Sequence, residues 1–237
     1  MSKSRWIIFG VVCVLVLGGL VFLANKDKKD VSSIDPTQII ASTDTEIGDH
    51  VYGNKDAKVV VFEYGDFQCP SCGGAFPQLK TIKETYKDQI AFVFRNFPLT
   101  SIHPNALSAS TSAEAAGLQG KFWEMHDALY LNQDSWSNAS TSDRNNIFED
   151  YAKSVGVNVT QYNTELTGKK VADKIARDRA LGKKVGVDST PSVFIGSDKM
   201  NSDVISNLVQ GNGSKLTAEI DKRLKAAGVA LPAKAEQ

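Results

Sequence analysis

Hydrophobic positions along this chain follow three patterns. The first is a run from Trp6 to Ala24 without a charged residue. As a helix rising 1.5 Å per residue, such a run is long enough to cross a bilayer core. Trp6 at its edge suits the membrane interface. Lys3 and Arg5 precede it and Lys26, Lys28 and Lys29 follow it, so flanking charge does not set its orientation. A cleaved signal peptide is the rival reading. The run is long for that, and Phe22, two before Ala24, breaks the small-residue cleavage pattern. Cys13 lies within the run after Val11 and Val12, which are not the small residues that precede a lipidated cysteine; it reads as a small apolar residue of the helix. The expected organisation is an N-terminal transmembrane anchor over residues 1–24, a flexible linker over 25–47, a folded domain over 48–227 and a disordered tail over 228–237.

The second pattern is short and β-branched or aromatic. Val59-Val60-Val61-Phe62, Ile90-Ala91-Phe92-Val93-Phe94 and Val193-Phe194-Ile195 read as buried strands. The third has helical spacing. Phe76, Leu79, Ile82 and Tyr86 mark a helix opening near Cys69, with Pro70 in its first turn and Pro77 expected to kink it. Pro104 can open an Ala- and Ser-rich helix that ends by Gly117 or Gly120. Phe122, Met125 and Leu129 mark the next, and Ile147, Phe148, Tyr151 and Val155 another. Lys169 to Val185 is helical by composition, with Gly186 to cap it, and Ser214 can open a last helix through Leu216, Ile220 and Leu224. Strand, helix and strand in the first half form a βαβ unit. A strand near the end, after several helices, makes the fold class α/β with an inserted helical region at about 100–185.

Composition narrows the function. Lys+Arg and Asp+Glu both number 27, which excludes the basic footprint of a general nucleic-acid binder. Three cysteines are too few for a disulfide-stapled small domain.

Two of those three stand in Cys69-Pro70-Ser71-Cys72, between a strand and a helix. In that position a C-x-x-C is a redox candidate. A helix N-terminus offers unpaired N–H groups and a partial positive charge. Cys69, before the first turn, is aimed at the N–H groups of Ser71 and Cys72, so its thiolate is favoured and its pKa falls. Because the anion exists only in the reduced form, stabilising it makes the disulfide a better oxidant. Cys69 is expected to be the exposed attacking sulfur and Cys72, one turn inward, the shielded resolving one. Zinc would need four ligands, and His50, His103 and His126 are scattered without ligand spacing, so no metal is expected. A purely structural disulfide is a poor alternative, since so short a loop removes little entropy from the unfolded chain. Pro191 after Thr190 reads as a strand start, with a trans bond favoured for X-Pro in general.

Four segments together resemble the DsbA-like thiol–disulfide oxidoreductases, in their membrane-anchored bacterial branch. They are Phe62 through Cys72, Asn96-Phe97-Pro98-Leu99 with His103-Pro104, Gly120 through His126, and Gly186 through Ser192. The resemblance runs from about Gly48 to Ala227. It implies a thioredoxin fold with a helical insertion. It also implies that Cys69 attacks, that Cys72 resolves, and that Pro191 is cis and faces the disulfide. Thr190 would offer backbone groups to substrate beside Pro70 and Ser71. Glu63 matches the family's buried acid beneath the disulfide and would relay the Cys72 proton; Asp66 is nearer in sequence and competes for that role. The Pro-Ser dipeptide departs from the Pro-His of the best-known oxidants, so no cationic ring stands beside Cys69. His103 and His126 are expected to be structural, and residues 198–213 look less regular than the family's last hairpin.

The expectation is a single-pass cell-membrane protein whose catalytic domain is extracytoplasmic and introduces disulfides into reduced or unfolded secreted proteins. It would act as a monomer without a bound redox cofactor, bind no nucleic acid, and be reoxidised by a quinone-linked membrane partner. The alternatives are a reductase or isomerase on the same fold, or a non-catalytic tethered binding or chaperone module.

Overall fold

The computed structural model describes residues 29–233 and, ahead of them, Phe9, Val12, Cys13 and Val16. The expected anchor lies, apart from those four residues, outside the described residues. Among the described residues no helix is long and apolar enough to cross a membrane.

Strands β1 (His50–Gly53), β2 (Val59–Gly65), β3 (Ile90–Asn96), β4 (Ser192–Ile195) and β5 (Asp198–Lys199) form one sheet in the order β1-β3-β2-β4-β5. β2 and β3 are parallel, with Val61 opposite Phe92 and Gly65 opposite Asn96. β4 runs antiparallel to β2, with Glu63 opposite Val193. β1 runs antiparallel to β3, and β5 to β4. The parallel pair is joined by helix α1 (Pro70–Thr85), which runs through Pro77 as one element. β3 is buried at every position, as a central strand covered on both faces must be.

Between β3 and β4 the chain forms α2 (Ala106–Gly117), α3 (Phe122–Leu131), α4 (Gln133–Trp136), α5 (Thr141–Ser154), α6 (Val159–Glu165) and α7 (Lys169–Lys184). This is the inserted helical region expected from the sequence. After β5, helices α8 (Ser202–Val209) and α9 (Ser214–Ala226) complete the fold. The segment that looked irregular thus holds a short strand and a helix, the latter capped by the Asn201 side chain, which accepts from Val204 N–H at 3.0 Å.

Strand alternation sorts the core. Val59, Val61 and Phe92 face α1, α8 and α9, meeting Leu79, Ile82, Leu208, Leu216 and Ile220. Phe62, Tyr64 and Val93 face the other way, onto Leu181 of α7. Ala109 and Ala113 of α2 and Phe122, Met125 and Leu129 of α3 form the insert core, which is continuous with Cys69, Cys72, Phe67 and Phe94. Cys69 and Cys72 therefore sit where the insert core meets the sheet.

Residues 29–47, expected as part of a flexible linker, pack instead on the domain. Arg95, fully buried at the end of β3, donates to the carbonyls of Pro36 (2.6 Å) and Gln38 (2.9 Å) and pairs with Asp49 at 2.8 Å. Lys184 donates to the carbonyls of Val31, Ser32 and Ile34. The strap thus supplies backbone acceptors to the buried Arg95, whose donors would otherwise be unsatisfied, and is tied down again by the exposed Lys184. The tail begins later than expected, because Val229 N–H still bonds to the Leu224 carbonyl at 2.9 Å and Val229 packs on the core.

Candidate active site

β2 ends at Gly65, and the turn to α1 is built around Asp66. Its backbone carbonyl accepts Cys69 N–H at 3.1 Å. Its fully buried carboxylate accepts the N–H groups of Gln68 and Leu99, each at 2.8 Å, and lies 2.7 Å from His103 Nδ1. Asp66 is thus committed to the turn and does not compete with Glu63. Cys69 is the N-cap of α1 in extended conformation (φ −68°, ψ 122°), with Pro70 opening the helix.

Cys69 retains 7% of its surface exposed and Cys72 none. Cys69 is therefore less open than the sequence suggested, yet still the accessible member of the pair. The two are not bonded to each other in this structure, which is the reduced form. The Cys69 pKa is lowered to about 5. The largest cause is hydrogen bonding from the Cys72 thiol, followed by the Thr190 side chain and then the backbone N–H groups of Cys72 and Ser71; partial burial opposes them. The helix N–H groups contribute as anticipated, but the resolving thiol outweighs them. Burial and the neighbouring Cys69 sulfur push the Cys72 pKa well above that of a free thiol. One sulfur is held as an anion and its partner as a thiol.

Glu63 shares a strand face with Val61, so period-two alternation turns it toward α1 beneath Cys72. It is 2% exposed, and burial raises its pKa to about 8, opposed by Lys83. Lys83 is itself buried; it bonds Asp127 at 3.1 Å and lies 4.2 Å over the Trp123 ring. At neutral pH Glu63 is a buried neutral acid near the Cys72 thiol.

The Thr190–Pro191 bond is cis, as the resemblance implied and contrary to the general preference for trans. The Thr190 carbonyl accepts from Cys69 Sγ at 3.4 Å. The Thr190 hydroxyl is buried without a partner among the described residues. In the thiol form Cys69 donates to the carbonyl; in the thiolate form the hydroxyl is the Thr190 group that can turn to donate back. Pro70 and Ser71 are exposed, whereas Pro191 is buried. Beside Pro70 and Gln68 opens a groove of about 610 Å³, walled by Ile102, His103 and the loop after α4.

The remaining histidines are structural neighbours. His103 buttresses the Asp66 turn. His126 is buried among Phe67, Phe94 and Tyr130, and burial lowers its pKa to about 4. His50 stacks on Phe122 at 3.7 Å and contacts Glu114 at 2.7 Å. Among the described residues no group of His, Cys, Asp and Glu side chains is arranged to hold a metal ion.

Sequence reasoning missed the groups that brace the turn from the insert. Gln133 Nε2 donates to the carbonyls of Phe67 (2.7 Å) and Cys69 (2.9 Å). Gln68 donates to the Ser137 carbonyl at 2.7 Å and accepts Asn105 N–H at 2.6 Å. The available signal was Gly73-Gly74, a glycine pair early in a helix, which marks close approach by something else.

The family described as Thioredoxin matches residues 45–210. A thioredoxin-like oxidoreductase from Silicibacter pomeroyi is 25% identical, with a TM-score of 0.60 over 75% of this chain and 92% of that one. Alpha-DsbA1 from Wolbachia pipientis is also 25% identical, with a TM-score of 0.61 over 76% of this chain and 92% of that one. The Na(+)/H(+) antiporter NhaA 1 of Mycolicibacterium vanbaalenii is 34% identical over 151 residues, which cover 62% of this chain but only 23% of the antiporter.

Proposed function

The chain belongs to the thioredoxin family, in its DsbA-like form, and from that premise we propose that it is an extracytoplasmic oxidase of protein thiols. The observation that carries the direction is the Cys69 thiolate, held at a pKa of about 5. At pH 7 this favours the reduced form by about two units, or roughly 60 mV in potential for a two-electron couple.

In this reading a thiolate of a reduced polypeptide attacks Cys69 Sγ of the Cys69–Cys72 disulfide. The bond between the two sulfurs breaks, and Cys72 leaves and takes a proton. Glu63, neutral at pH 7 and buried near Cys72, supplies it. A second substrate thiolate then attacks the substrate sulfur of the mixed disulfide, and Cys69 departs as the stabilised anion. Two electrons pass from substrate to enzyme, and the substrate leaves with a disulfide. Pro70, Ser71, Thr190 and Pro191 flank the exposed sulfur and would contact the incoming chain. A quinone-linked membrane partner would restore the disulfide, and the N-terminal run would tether the domain where disulfides persist. The sodium/proton exchange in the antiporters' names belongs to proteins of which this chain spans about a quarter, and no group of the dithiol site performs it.

The test is a redox equilibrium with glutathione together with oxidation of a reduced, unfolded protein. The expected potential lies well above the roughly −270 mV of a reductase of this fold, and Cys69→Ser abolishes oxidation. A potential at or below that value would make the protein a reductase. Undiminished function in Cys69→Ser would make it a binding module.

A further inference from the structure

Gln133 opens α4 in the helical insert, far in sequence from the redox pair. Both hydrogens of its amide are spent on the active-site turn, at 2.7 Å to the Phe67 carbonyl and 2.9 Å to the Cys69 carbonyl. Two carbonyls can only accept, so the amide has one orientation here. The Cys69 carbonyl also accepts Gly73 N–H at 3.1 Å, the first bond of α1. The carbonyl of the attacking cysteine is thereby fixed from two sides, by its own helix and by the insert.

Gly73 explains how this approach is possible. A Cβ at position 73 would fall on Gln133 Oε1. Glycine in a helix interior costs about 1 kcal/mol relative to alanine, and Gly73 lies in regular helix, where no unusual backbone conformation calls for it. What it provides is room for the glutamine. Gly74 beside it has a different neighbour, the Val209 carbonyl of α8.

We propose that Gln133 is a positioning residue through which the helical insert holds the Cys69 backbone against the first turn of α1, and that position 73 is glycine to admit it. This rests on the thiol-exchange reading above. Only χ1 of Cys69 then needs to change as its sulfur moves between Cys72 and substrate, while the N–H groups of Ser71 and Cys72 keep their aim. Without the glutamine the turn gains freedom and the aim loosens.

The experiment is a double-mutant cycle on the reduced full-length protein, read by thiolate absorbance of Cys69 against pH, with thermal unfolding alongside. Gln133→Ala is expected to raise the titration midpoint by roughly half a unit or more. Gly73→Ala keeps every hydrogen-bonding group but displaces the glutamine, and should raise the midpoint in the same direction. In the double variant the alanine at 73 has nothing left to displace. The midpoint should match that of Gln133→Ala alone, and thermal stability should recover through helix propensity. A midpoint unchanged in Gln133→Ala, or effects of the two substitutions that add, would overturn the proposal. Should Gln133→Ala fail to fold, the midpoint of Gly73→Ala decides. The wild-type curve separates the two readings: an ordinary thiol midpoint there removes the exchange mechanism itself, whereas a low midpoint insensitive to both variants removes only the role of Gln133.

Discussion

Cys69 Sγ lies 3.4 Å from the carbonyl oxygen of Thr190, a residue 121 positions further along the chain. That contact joins the start of α1 to the start of β4. The attacking sulfur is thereby placed beside a cis-proline strand entry as well as a helix N-terminus. Its chemistry depends on groups from both, and on Cys72.

The Cys72 thiol is the largest cause of the low Cys69 pKa. Cys72→Ala should therefore raise the Cys69 midpoint from about 5 by about one to two units, the worth of a hydrogen bond to a charged group. Thiolate absorbance against pH reads this directly. An unchanged midpoint would return the whole effect to the Thr190 side chain and the helix N–H groups.

Reduction should make stability depend on pH. The Cys69 pKa is about 5 in the folded protein against the 9.0 of an ordinary thiol. Between those values the unfolded chain binds the extra proton, so the Cys69 thiolate adds stability to the reduced protein as pH rises from about 5 to about 9, against the opposite contribution of Glu63 below about 8. It loses that gain as pH falls through 5. The oxidised protein lacks this titration. The unfolding free energies of the two forms should diverge upward across that window, by at most about 1.4 kcal/mol per pH unit and by less where solvent screens the half-buried sulfur. Parallel curves would contradict the assignment.

Glu63 carries the opposite sign. Its folded pKa of about 8 exceeds the 4.5 of an ordinary glutamate, so the native state keeps a proton that the unfolded chain releases. The oxidised wild type, which lacks the Cys69 titration, should lose stability as pH rises from about 4.5 to about 8, and oxidised Glu63→Gln should not. The stability of the variant relative to wild type should therefore climb across that interval and level off above it. Formation of the mixed disulfide, the step in which Cys72 takes the Glu63 proton, should slow by about tenfold or more in the variant. A kinetic effect without the pH signature would make the residue a packing element.

Arg95→Ala should cost about 3–5 kcal/mol in stability, because it leaves the buried Asp49 carboxylate without its guanidinium and frees the strap at Pro36 and Gln38. Proteolysis should then cut first within residues 29–47. A loss under 1 kcal/mol would mean that the strap is held by its apolar contacts instead.

The parts of this molecule legible in the sequence are those with a local cause. The strands around Val61 and Phe92, the α1 start at Cys69-Pro70 and the Phe122–Leu129 stripe all follow from periodicity and capping. β1 is four residues beginning with histidine and owes its place to pairing with β3, so no window of sequence reveals it. Arg95 and Asn96 extend β3 beyond its apolar run because Asp49, Asp178 and Glu114 meet them from elsewhere in the chain. Residues 29–47 look like a tether by composition; their order comes from Arg95 and Lys184. At the site, Glu63 was legible through resemblance and strand alternation. Gln133 was not, because its two acceptors are backbone carbonyls 66 and 64 residues away and a lone glutamine carries no pattern.

The central claim is that Cys69 is an anion at neutral pH. Thiolate absorbance of the reduced wild-type protein, followed from pH 3 to pH 10, tests it most directly. The account predicts a first transition centred near 5, with Cys72 unchanged up to the top of the range. A single transition at the roughly 8.5 of a free cysteine would contradict it.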